Sequence, residues 1–279
     1  MSELQQFGGP WTEKKLDAID SYLKAYNLVL KNLPFKRCYI DAFSGSGNIV
    51  LRDGRVVDGS AVRALKHPFD KYYFFEKDQK CFDALCDKVR HDYSEKVDKV
   101  SIVKCDCNEL LQNIDEADWF SENWRGVIFL DPYAMQLDWS CLAKINKTQA
   151  FDVWYLFPFS AVTRNLTKNG KISPANKDIL TKIFGLPDWE EALYSKSLQI
   201  PLFGEPSSEK TSVEGLKQYI LRRLKDTFCA VSPNPALLRS ETKNAPLFLL
   251  CFAMSNPSEK AQKRALTIAN HILGSISMR

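Results

Sequence analysis

The stretch YIDAFSGSGNIV, residues 39–50, places an aspartate at the end of an apolar run and two glycines just beyond it. Glycine has no Cβ, so Gly45 and Gly47 let the backbone turn sharply and approach a ligand closely. A side chain added at Gly47 is expected to clash with that ligand or to strain the turn. A loop built only for phosphate would avoid the charge of Asp41. The pattern therefore predicts a strand and a binding loop for a ligand with a cationic part.

On both sides of this loop, short apolar runs alternate with helical patterns. The strand candidates are residues 37–42, 71–76, 99–105, 126–131 and 151–158, and the helix candidates are 12–31, 60–66, 79–91, 108–111 and 137–147. Such alternation predicts βαβ units, with a mostly parallel sheet covered by helices on both faces. Ligands of such sheets collect at the carboxyl ends of the strands. Four acids end or directly follow strand candidates, and we expect them on one edge: Asp41, Glu76, Asp106 and Asp131.

The alternation stops after residue 159. Residues 160–212 are polar and rich in lysine, and they predict a helical insertion after the fifth strand. Beyond it the patterns predict a helix over 213–228, antiparallel strands over 236–242 and 247–255, and a closing helix over 258–273. The chain is thus expected to form one domain over 1–279, made of an N-terminal helical segment (1–35), a core (36–159), the insertion (160–212) and a C-terminal completion of the sheet (213–279).

Charge is distributed unevenly along the chain. Residues 1–159 carry 21 Lys and Arg against 24 Asp and Glu, a net of −3, whereas residues 160–279 carry 17 against 10, a net of +7. A basic C-terminal part favours a polyanionic partner such as DNA or RNA. Solvated helix faces are the alternative explanation of the same excess.

Cysteine and histidine usage argues against a metal site. Eight cysteines include no Cys-x-x-Cys pair, and the chain has three histidines, so no zinc cluster is predicted. Reduced thiols of this kind are typical of cytoplasmic proteins. The first residues do not form a signal-peptide pattern, and no window approaches the roughly 18 apolar residues of a membrane span. We expect a cytoplasmic protein without a membrane partner.

The glycine spacing does not fit the common nucleotide loops. The run Gly45-Ser46-Gly47-Asn48-Ile49-Val50 lacks the third glycine of a dinucleotide loop, and no Gly-Lys-Ser/Thr follows it. It resembles instead the first motif of class I S-adenosylmethionine-dependent methyltransferases, whose cofactor carries an ammonium, a sulfonium and no phosphate. The resemblance implies a methionyl site at Asp41, Phe43, Ser44, Gly45 and Gly47, a ribose site at Glu76 with Lys77 beside it, and an adenine site at Asp106 and the Cys107 N–H. As single residues, Glu76 and Asp106 are also explained as helix caps.

The end of the fourth strand carries a second motif, Asp131-Pro132-Tyr133. It resembles the Asp-Pro-Pro-Tyr motif of methyltransferases that act on base amino groups, with one proline fewer. An exocyclic amine is a poor nucleophile because its lone pair is delocalised into the ring. A carboxylate and a backbone carbonyl that accept its hydrogens localise this lone pair, and an aromatic ring holds the base by stacking. Asp131, the Pro132 carbonyl and Tyr133 are the candidates for these roles, and a plain strand-end turn is the alternative.

A longer resemblance covers nearly the whole chain. Its segments are FGGPWTEKKLDAIDSYLKAYNLVLKN, YIDAFSGSG, DGSAVRAL, YYFFEKD and IFLDPYAMQLDW. Together they are similar to the three-Cys-motif partner proteins, a family of methyltransferase-like proteins encoded beside a companion that carries the three cysteines. The family usually has Asp-Pro-Phe-Gly where this chain has Asp131-Pro132-Tyr133-Ala134. The resemblance implies a Rossmann-like class I methyltransferase fold, S-adenosyl-L-methionine as cofactor and a companion protein.

These patterns predict a methyltransferase that acts on an exocyclic amine of a nucleic-acid base. Side chains for the substrate are sought in the N-terminal segment, expected near the cofactor cleft, and in the insertion, namely at Trp11, Lys14, Lys15, Lys168 and Lys171. Two alternatives remain open. One is a methyltransferase for a protein or a small molecule, and the other is a binding subunit of this fold without catalysis.

Overall fold

A computed structural model describes residues 9–168, 170–196 and 208–277. The strands in chain order are β1 (Lys36–Asp41), β2 (Asn48–Val50), β3 (Val56–Asp58), β4 (Lys71–Glu76), β5 (Val100–Lys104), β6 (Trp124–Leu130), β7 (Phe151–Phe157), β8 (Tyr194–Lys196), β9 (Ser208–Lys210), β10 (Ala230–Val231), β11 (Ala236–Arg239) and β12 (Pro246–Met254).

The helices begin before β1 and end after β12. They are α1 (Pro10–Leu30), α2 (Ser60–Leu65), α3 (Gln79–Asp92), α4 (Cys107–Leu111), α5 (Trp139–Lys147), α6 (Phe159–Asn165), α7 (Pro174–Phe184), α8 (Trp189–Leu193), α9 (Val213–Thr227) and α10 (Glu259–Ser277). Within the part of the chain described, none of them has both the length and the apolar character needed to cross a membrane.

Eight strands form the central sheet in the order β5-β4-β1-β6-β7-β12, with β10 and β11 both pairing with the outer side of β12. The five strands from β5 to β7 are parallel to one another, and β12 runs antiparallel to β7. The predicted Rossmann-like, mostly parallel sheet with an antiparallel C-terminal hairpin is confirmed.

Helices cover both faces of the sheet. One core lies under α1, α2, α3 and α10, and the other lies under α4 to α9. Strand β7 serves both, because side chains alternate along a strand. Phe151, Val153, Tyr155 and Phe157 enter the second core, while Trp154 and Leu156 enter the first. Every residue of β7 is buried, as expected for a central strand between two helical layers.

Local details differ from the sequence predictions where turns decide the structure. The segment after the glycine loop folds back as the β2–β3 hairpin. The sequence did not predict this hairpin, because strands of three residues are too short to give a periodic pattern. Helix α1 begins two residues before Thr12, at Pro10, because Pro is favoured in the first helical turn. Thr12 is not the N-cap, which is Gly9. The Thr12 hydroxyl is instead buried without a hydrogen-bond partner.

Candidate functional site

The four strand-end acids lie in a row along one edge of the sheet. Asp41 ends β1, Glu76 ends β4, Asp106 follows β5 by two residues, and Asp131 directly follows β6. Because the sheet order is β6-β1-β4-β5 in this region, the row reads Asp131, Asp41, Glu76, Asp106. The edge therefore brings together residues that lie up to 90 positions apart in the sequence.

The glycine loop crosses the end of β1 and is fastened to β4. The Ser44 N–H and hydroxyl both donate to the Phe75 carbonyl at 3.0 Å, and the Gly45 N–H donates to Glu76 Oε2 at 2.8 Å. Glu76 Oε1 accepts the Asp78 N–H at 2.7 Å. Both carboxylate oxygens of Glu76 are therefore held in fixed positions at the mouth of the loop.

The two glycines of the loop have different surroundings, although both have positive φ angles (61° at Gly45 and 84° at Gly47). A Cβ on Gly45 would meet no atom within 4 Å, so the space above Gly45 is open. A Cβ on Gly47 would lie 3.0 Å from Val62 Cγ2 and 3.1 Å from Leu85 Cδ1, which are buried core atoms. The positive φ at Gly47 supports the expected strain in the turn, and a side chain there would in addition press on helix packing, which the sequence did not predict.

Asp41 lies beneath the loop rather than in it. Its exposed fraction is 0%, and its oxygens accept the Phe43 N–H at 3.2 Å and the Tyr39 hydroxyl at 3.4 Å. Burial raises the pKa of Asp41 to about 7, although the Ser60 hydroxyl and the Phe43 N–H oppose the shift. In this conformation the carboxyl group shapes the loop from below, through Phe43, and does not reach the open side where a ligand ammonium was expected.

Asp106 caps α4 and also holds Lys77. Asp106 Oδ1 accepts the Asn108 N–H at 3.0 Å, and Oδ2 accepts the Lys77 ammonium at 2.9 Å. Burial acts to raise the pKa of Asp106, but these hydrogen bonds bring the pKa below its ordinary value. Lys77 is exposed, and the Cys107 side chain is buried, so at Cys107 only the backbone is placed for a ligand.

Asp131 forms an ion pair with Lys15, which reaches it from α1. The Lys15 ammonium contacts Asp131 Oδ2, and Lys15 itself is only 6% exposed. The same ammonium lies 5.2 Å from the centre of the Trp11 ring, and Trp11 packs against Phe248 of β12 with ring centres 4.8 Å apart. Lys15, predicted as a substrate contact, thus lies at the acid edge with its charge already paired.

The loop after Asp131 is held from two sides. Asn108 of α4 donates to the Gln136 carbonyl at 2.7 Å and accepts the Asp138 N–H at 3.0 Å. Asn165, the last residue of α6, contacts Met135 Sδ at 4.0 Å. Tyr133 and Ala134 lie just before these contacts. Tyr133 is 66% exposed, and Ala134 has a φ of 56°, in the left-handed region that glycine adopts most easily. This chain departs from the Asp-Pro-Phe-Gly pattern at both residues, and the one in the glycine position, Ala134, has the unusual backbone angle.

The remaining predicted substrate residues differ in exposure. Lys14 is half-buried in the first turns of α1, whereas Lys168, three residues after Asn165, and Lys171 are exposed. Lys168 lies close enough to Lys210 to lower the pKa of Lys210, after burial, which is the larger cause. Two basic side chains therefore lie near each other just beyond α6.

Asn108 is the residue that sequence reasoning missed. Its amide group joins α4, the Asp131 loop and, through the Cys141 thiol 3.3 Å from Asn108 Oδ1, helix α5. The available signal was an asparagine two positions after a strand-end aspartate, where both side chains can cap a helix. Among the described residues, no group of His, Cys, Asp or Glu is arranged to hold a metal ion.

Comparisons with known proteins support the fold. No family model and no curated protein matches the sequence, so membership of the three-Cys-motif partner family stays a prediction. Among solved structures, protein LPL1258 from Legionella pneumophila str. Philadelphia 1 is 12% identical, with 94% of this chain and 92% of that chain covered and a TM-score of 0.51. At this identity the similarity shows a shared fold.

Two further structures have lower TM-scores. Trm1 from Pyrococcus horikoshii in complex with S-adenosyl-L-methionine is 11% identical, with 98% of this chain and 77% of that chain covered and a TM-score of 0.42. The methyltransferase domain of bacterial CtHen1-C is 11% identical, with 85% and 98% covered and a TM-score of 0.40.

Proposed function

We propose that the protein is an S-adenosylmethionine-dependent methyltransferase that modifies an exocyclic amino group of a nucleic-acid base. The observation that carries this proposal is the arrangement around Asp131. One carboxylate oxygen is paired with buried Lys15, and the exposed Tyr133 ring follows two residues later. Asp131 also follows the strand beside β1, which leads into the glycine loop.

The residues at the edge fit the proposed cofactor in three respects. The open space above Gly45 admits a ligand close to the backbone. Glu76 is fixed by the Gly45 and Asp78 N–H groups, yet each of its oxygens keeps a lone pair for a ribose hydroxyl. Asp106 and the Cys107 N–H mark the expected adenine side, where Lys77 must move away from Asp106 to free an oxygen. When bound, S-adenosylmethionine supplies a methyl group on a positively charged sulfur.

Asp131 would act as a hydrogen-bond acceptor for the amine. Its Oδ2 is occupied by Lys15, so Oδ1 is the oxygen left for a substrate N–H. With the Pro132 carbonyl as a second acceptor, the nitrogen lone pair would turn toward the methyl group. Asp131 and the Pro132 carbonyl would thus hold and orient the amine, which must release one proton to solvent when it is methylated.

Tyr133 and the basic C-terminal part support a nucleic-acid acceptor. An exposed aromatic ring beside a hydrogen-bonding loop is the arrangement that stacks on a base turned out of its strand. Lys168 and Lys171 are exposed and follow α6, whose last residue Asn165 contacts Met135 of this loop, and they would contact the phosphates. A three-Cys-motif companion protein would be a further partner.

The decisive experiment measures methyl incorporation from labelled cofactor into DNA, RNA and total protein. Asp131→Ala should abolish turnover while cofactor affinity, measured by calorimetry, stays within about twofold. Asp131→Asn should retain part of the activity, because an amide oxygen still accepts the hydrogen bond, whereas a general base would not tolerate this change. Full turnover by Asp131→Ala would end the assignment, and labelling of protein alone would replace nucleic acid as the acceptor.

One observation favours a second candidate, a binding subunit without catalysis. Asp41 is fully buried, and both oxygens of Asp106 are engaged within the protein. Calorimetry with the cofactor and with its demethylated product separates the two functions. Binding of neither ligand would favour the non-catalytic subunit.

A further inference from the structure

A cavity of about 440 Å³ lies at the opposite edge of the sheet. Its lining includes Arg125 near the start of β6, Asp152 near the start of β7 and Met254 at the end of the antiparallel β12. Asp131 follows the far end of β6. At about 3.3 Å per residue, the cavity and the acid edge are roughly 20 Å apart. The cavity is therefore separate from the site proposed for methyl transfer.

A buried carboxyl group forms part of the cavity wall. Asp152 lies on the same face of β7 as Trp154 and Leu156, and both of these neighbours are core residues. It is 6% exposed, and its carboxyl group accepts one hydrogen bond from the residues that the structure describes, from the Tyr22 hydroxyl to Oδ2 at 2.6 Å. No cation in the described part of the chain pairs with it, and Oδ1 is left without a donor. Burial raises the pKa of Asp152 to about 7.

The remainder of the cavity wall is mainly apolar and aromatic. Tyr22, Tyr26, Phe35 and Phe120 contribute rings, and the Arg125 guanidinium lies over two of them, 4.6 Å from the Phe35 centre and 4.0 Å from the Phe120 centre. Such surfaces suit a flat aromatic body. Burying a carboxyl group with a free oxygen among them is unfavourable unless a donor reaches it, so the ligand should bring an N–H group.

The rim of the cavity is basic. Lys260, Lys263 and Arg264 lie at positions i, i+3 and i+4 of α10, and therefore on one side of the helix. All three are exposed, and none has an ion-pair partner among the residues described. Lys260 and Arg264 line the cavity, and all three line the adjoining surface depression. Three cations together suit a phosphate dianion better than a single carboxylate.

We propose that this cavity binds a nucleoside monophosphate, with the base between the aromatic walls, its amino group at Asp152 Oδ1 and its phosphate at the Lys260–Arg264 rim. Guanine fits best, since its N1–H and N2–H₂ donors lie side by side, so that one reaches Oδ1 and the other the second lone pair of Oδ2, beside the Tyr22 hydroxyl. The nucleoside monophosphate can be a free nucleotide or the end of a nucleic-acid strand. The inference does not depend on methyl transfer.

The test is calorimetric titration of the full chain with guanosine 5′-monophosphate, guanosine, inosine 5′-monophosphate and ribose 5-phosphate. The guanine nucleotide should bind at least tenfold more tightly than each of the other three, which lack the phosphate, the amino group or the base. Asp152→Asn should weaken its binding at least tenfold. The Lys260→Ala/Arg264→Ala double variant should weaken the nucleotide similarly but leave guanosine unchanged. Lys182→Ala, an exposed charge on α7, is the control.

Three results would overturn the proposal. The first is that no nucleoside monophosphate binds measurably, and the second is that nucleotide binding survives both Asp152→Asn and the rim variant. The third is that indole-3-acetate, an aromatic acid with one N–H, binds as tightly as guanosine 5′-monophosphate. The rim residues are exposed, so that variant remains informative if Asp152→Asn does not fold. A 5′-phosphorylated guanine dinucleotide identifies the source: tighter binding than the mononucleotide indicates a strand end, and weaker binding indicates the free nucleotide.

Discussion

Gly45 and Gly47 look equivalent in the sequence, but an added side chain would meet open space at Gly45 and buried core atoms at Gly47. Both positions have positive φ angles, which cost an alanine about 1–2 kcal/mol. Only at Gly47 would the Cβ also press on buried atoms of Val62 and Leu85. The sequence shows that the loop turns at both residues. It does not show which of them faces the ligand, because that depends on helices α2 and α3 packing behind the loop.

We predict that Gly45→Ala weakens cofactor binding at least tenfold and leaves a folded protein. Gly47→Ala should instead lower the free energy of unfolding by roughly 2–5 kcal/mol, because overpacking adds to the backbone strain. Calorimetry and urea denaturation of the two variants provide the comparison. If Gly45→Ala binds cofactor like the parent protein, the open side of the loop is not the methionyl site.

Asp152 predicts a pH dependence of stability. Its pKa is near 3.9 in an unfolded chain and about 7 in the fold. Between these values the folded state keeps a proton that the unfolded state releases, so the free energy of unfolding falls as pH rises, by at most about 1.4 kcal/mol per pH unit. Asp152→Asn should remove this loss and become progressively more stable than the parent protein from pH 4 to 7.

Urea denaturation across that pH range checks the sign. The same substitution at exposed Asp178 of α7 is the control, and Asp41, also raised to about 7, contributes its own slope to every variant. A stability difference between Asp152→Asn and the parent protein that stays constant with pH would show that Asp152 keeps an ordinary pKa in the fold.

Among the elements, α1 does more than cover the sheet. Its exposed side is joined to the β2–β3 region and α2 by two ion pairs, Glu13–Arg55 and Asp17–Arg63, and to the end of α2 by a hydrogen bond between Asp20 and His67. Exposed pairs of this kind contribute little to stability, because solvent screens the charges. The pair most important for stability and for the proposed function is Lys15–Asp131, because it is mostly buried and holds the acid proposed to contact the substrate.

We predict that Lys15→Ala lowers the free energy of unfolding by roughly 1–3 kcal/mol, since it leaves Asp131 partly buried without its donor. Lys14→Ala, one residue away and half-buried, should change it by no more than about 0.5 kcal/mol. Denaturation of both variants, repeated in an Asp131→Ala background, isolates the pair. Equal effects of Lys15→Ala with and without Asp131 would show that the two side chains are not coupled.

The element scale also shows what the sequence could and could not predict. Long apolar runs predicted strands over 71–76 and 151–158, and the bounds of the observed strands differ from these by at most one residue. Such runs are easy to recognise because central strands lie between two helical layers. The β2–β3 hairpin has only three residues on each strand, too few for a periodic signal. Lys15 and Asp131 are 116 residues apart, and no local pattern links them. The shared edge of the four acids could be predicted, but the burial of Asp41 could not.

For the whole molecule, the uneven charge distribution becomes a test of the proposed acceptor. If Lys168 contacts a phosphate beside the 131–138 loop, Lys168→Ala should reduce the dependence of log affinity on log salt concentration by about 0.7–0.9. Lys182→Ala serves again as an exposed control. Filter binding of DNA and RNA at several salt concentrations measures the slopes. Binding that ignores salt altogether would remove nucleic acid from the proposed function.

The packing of α1 against α10 has a consequence for how the chain is made. Helix α1 is synthesised well before α10, against which it packs, and β1 pairs with β6, where Lys36 lies opposite Trp124, 88 residues later. Contacts between such distant segments form slowly, since long loops must close first. During synthesis, the part of α1 that packs against α10 therefore stays uncovered until residues 259–277 have been made. A chain interrupted before residue 259 would leave that face exposed, and nascent-chain chaperones would be expected to bind there.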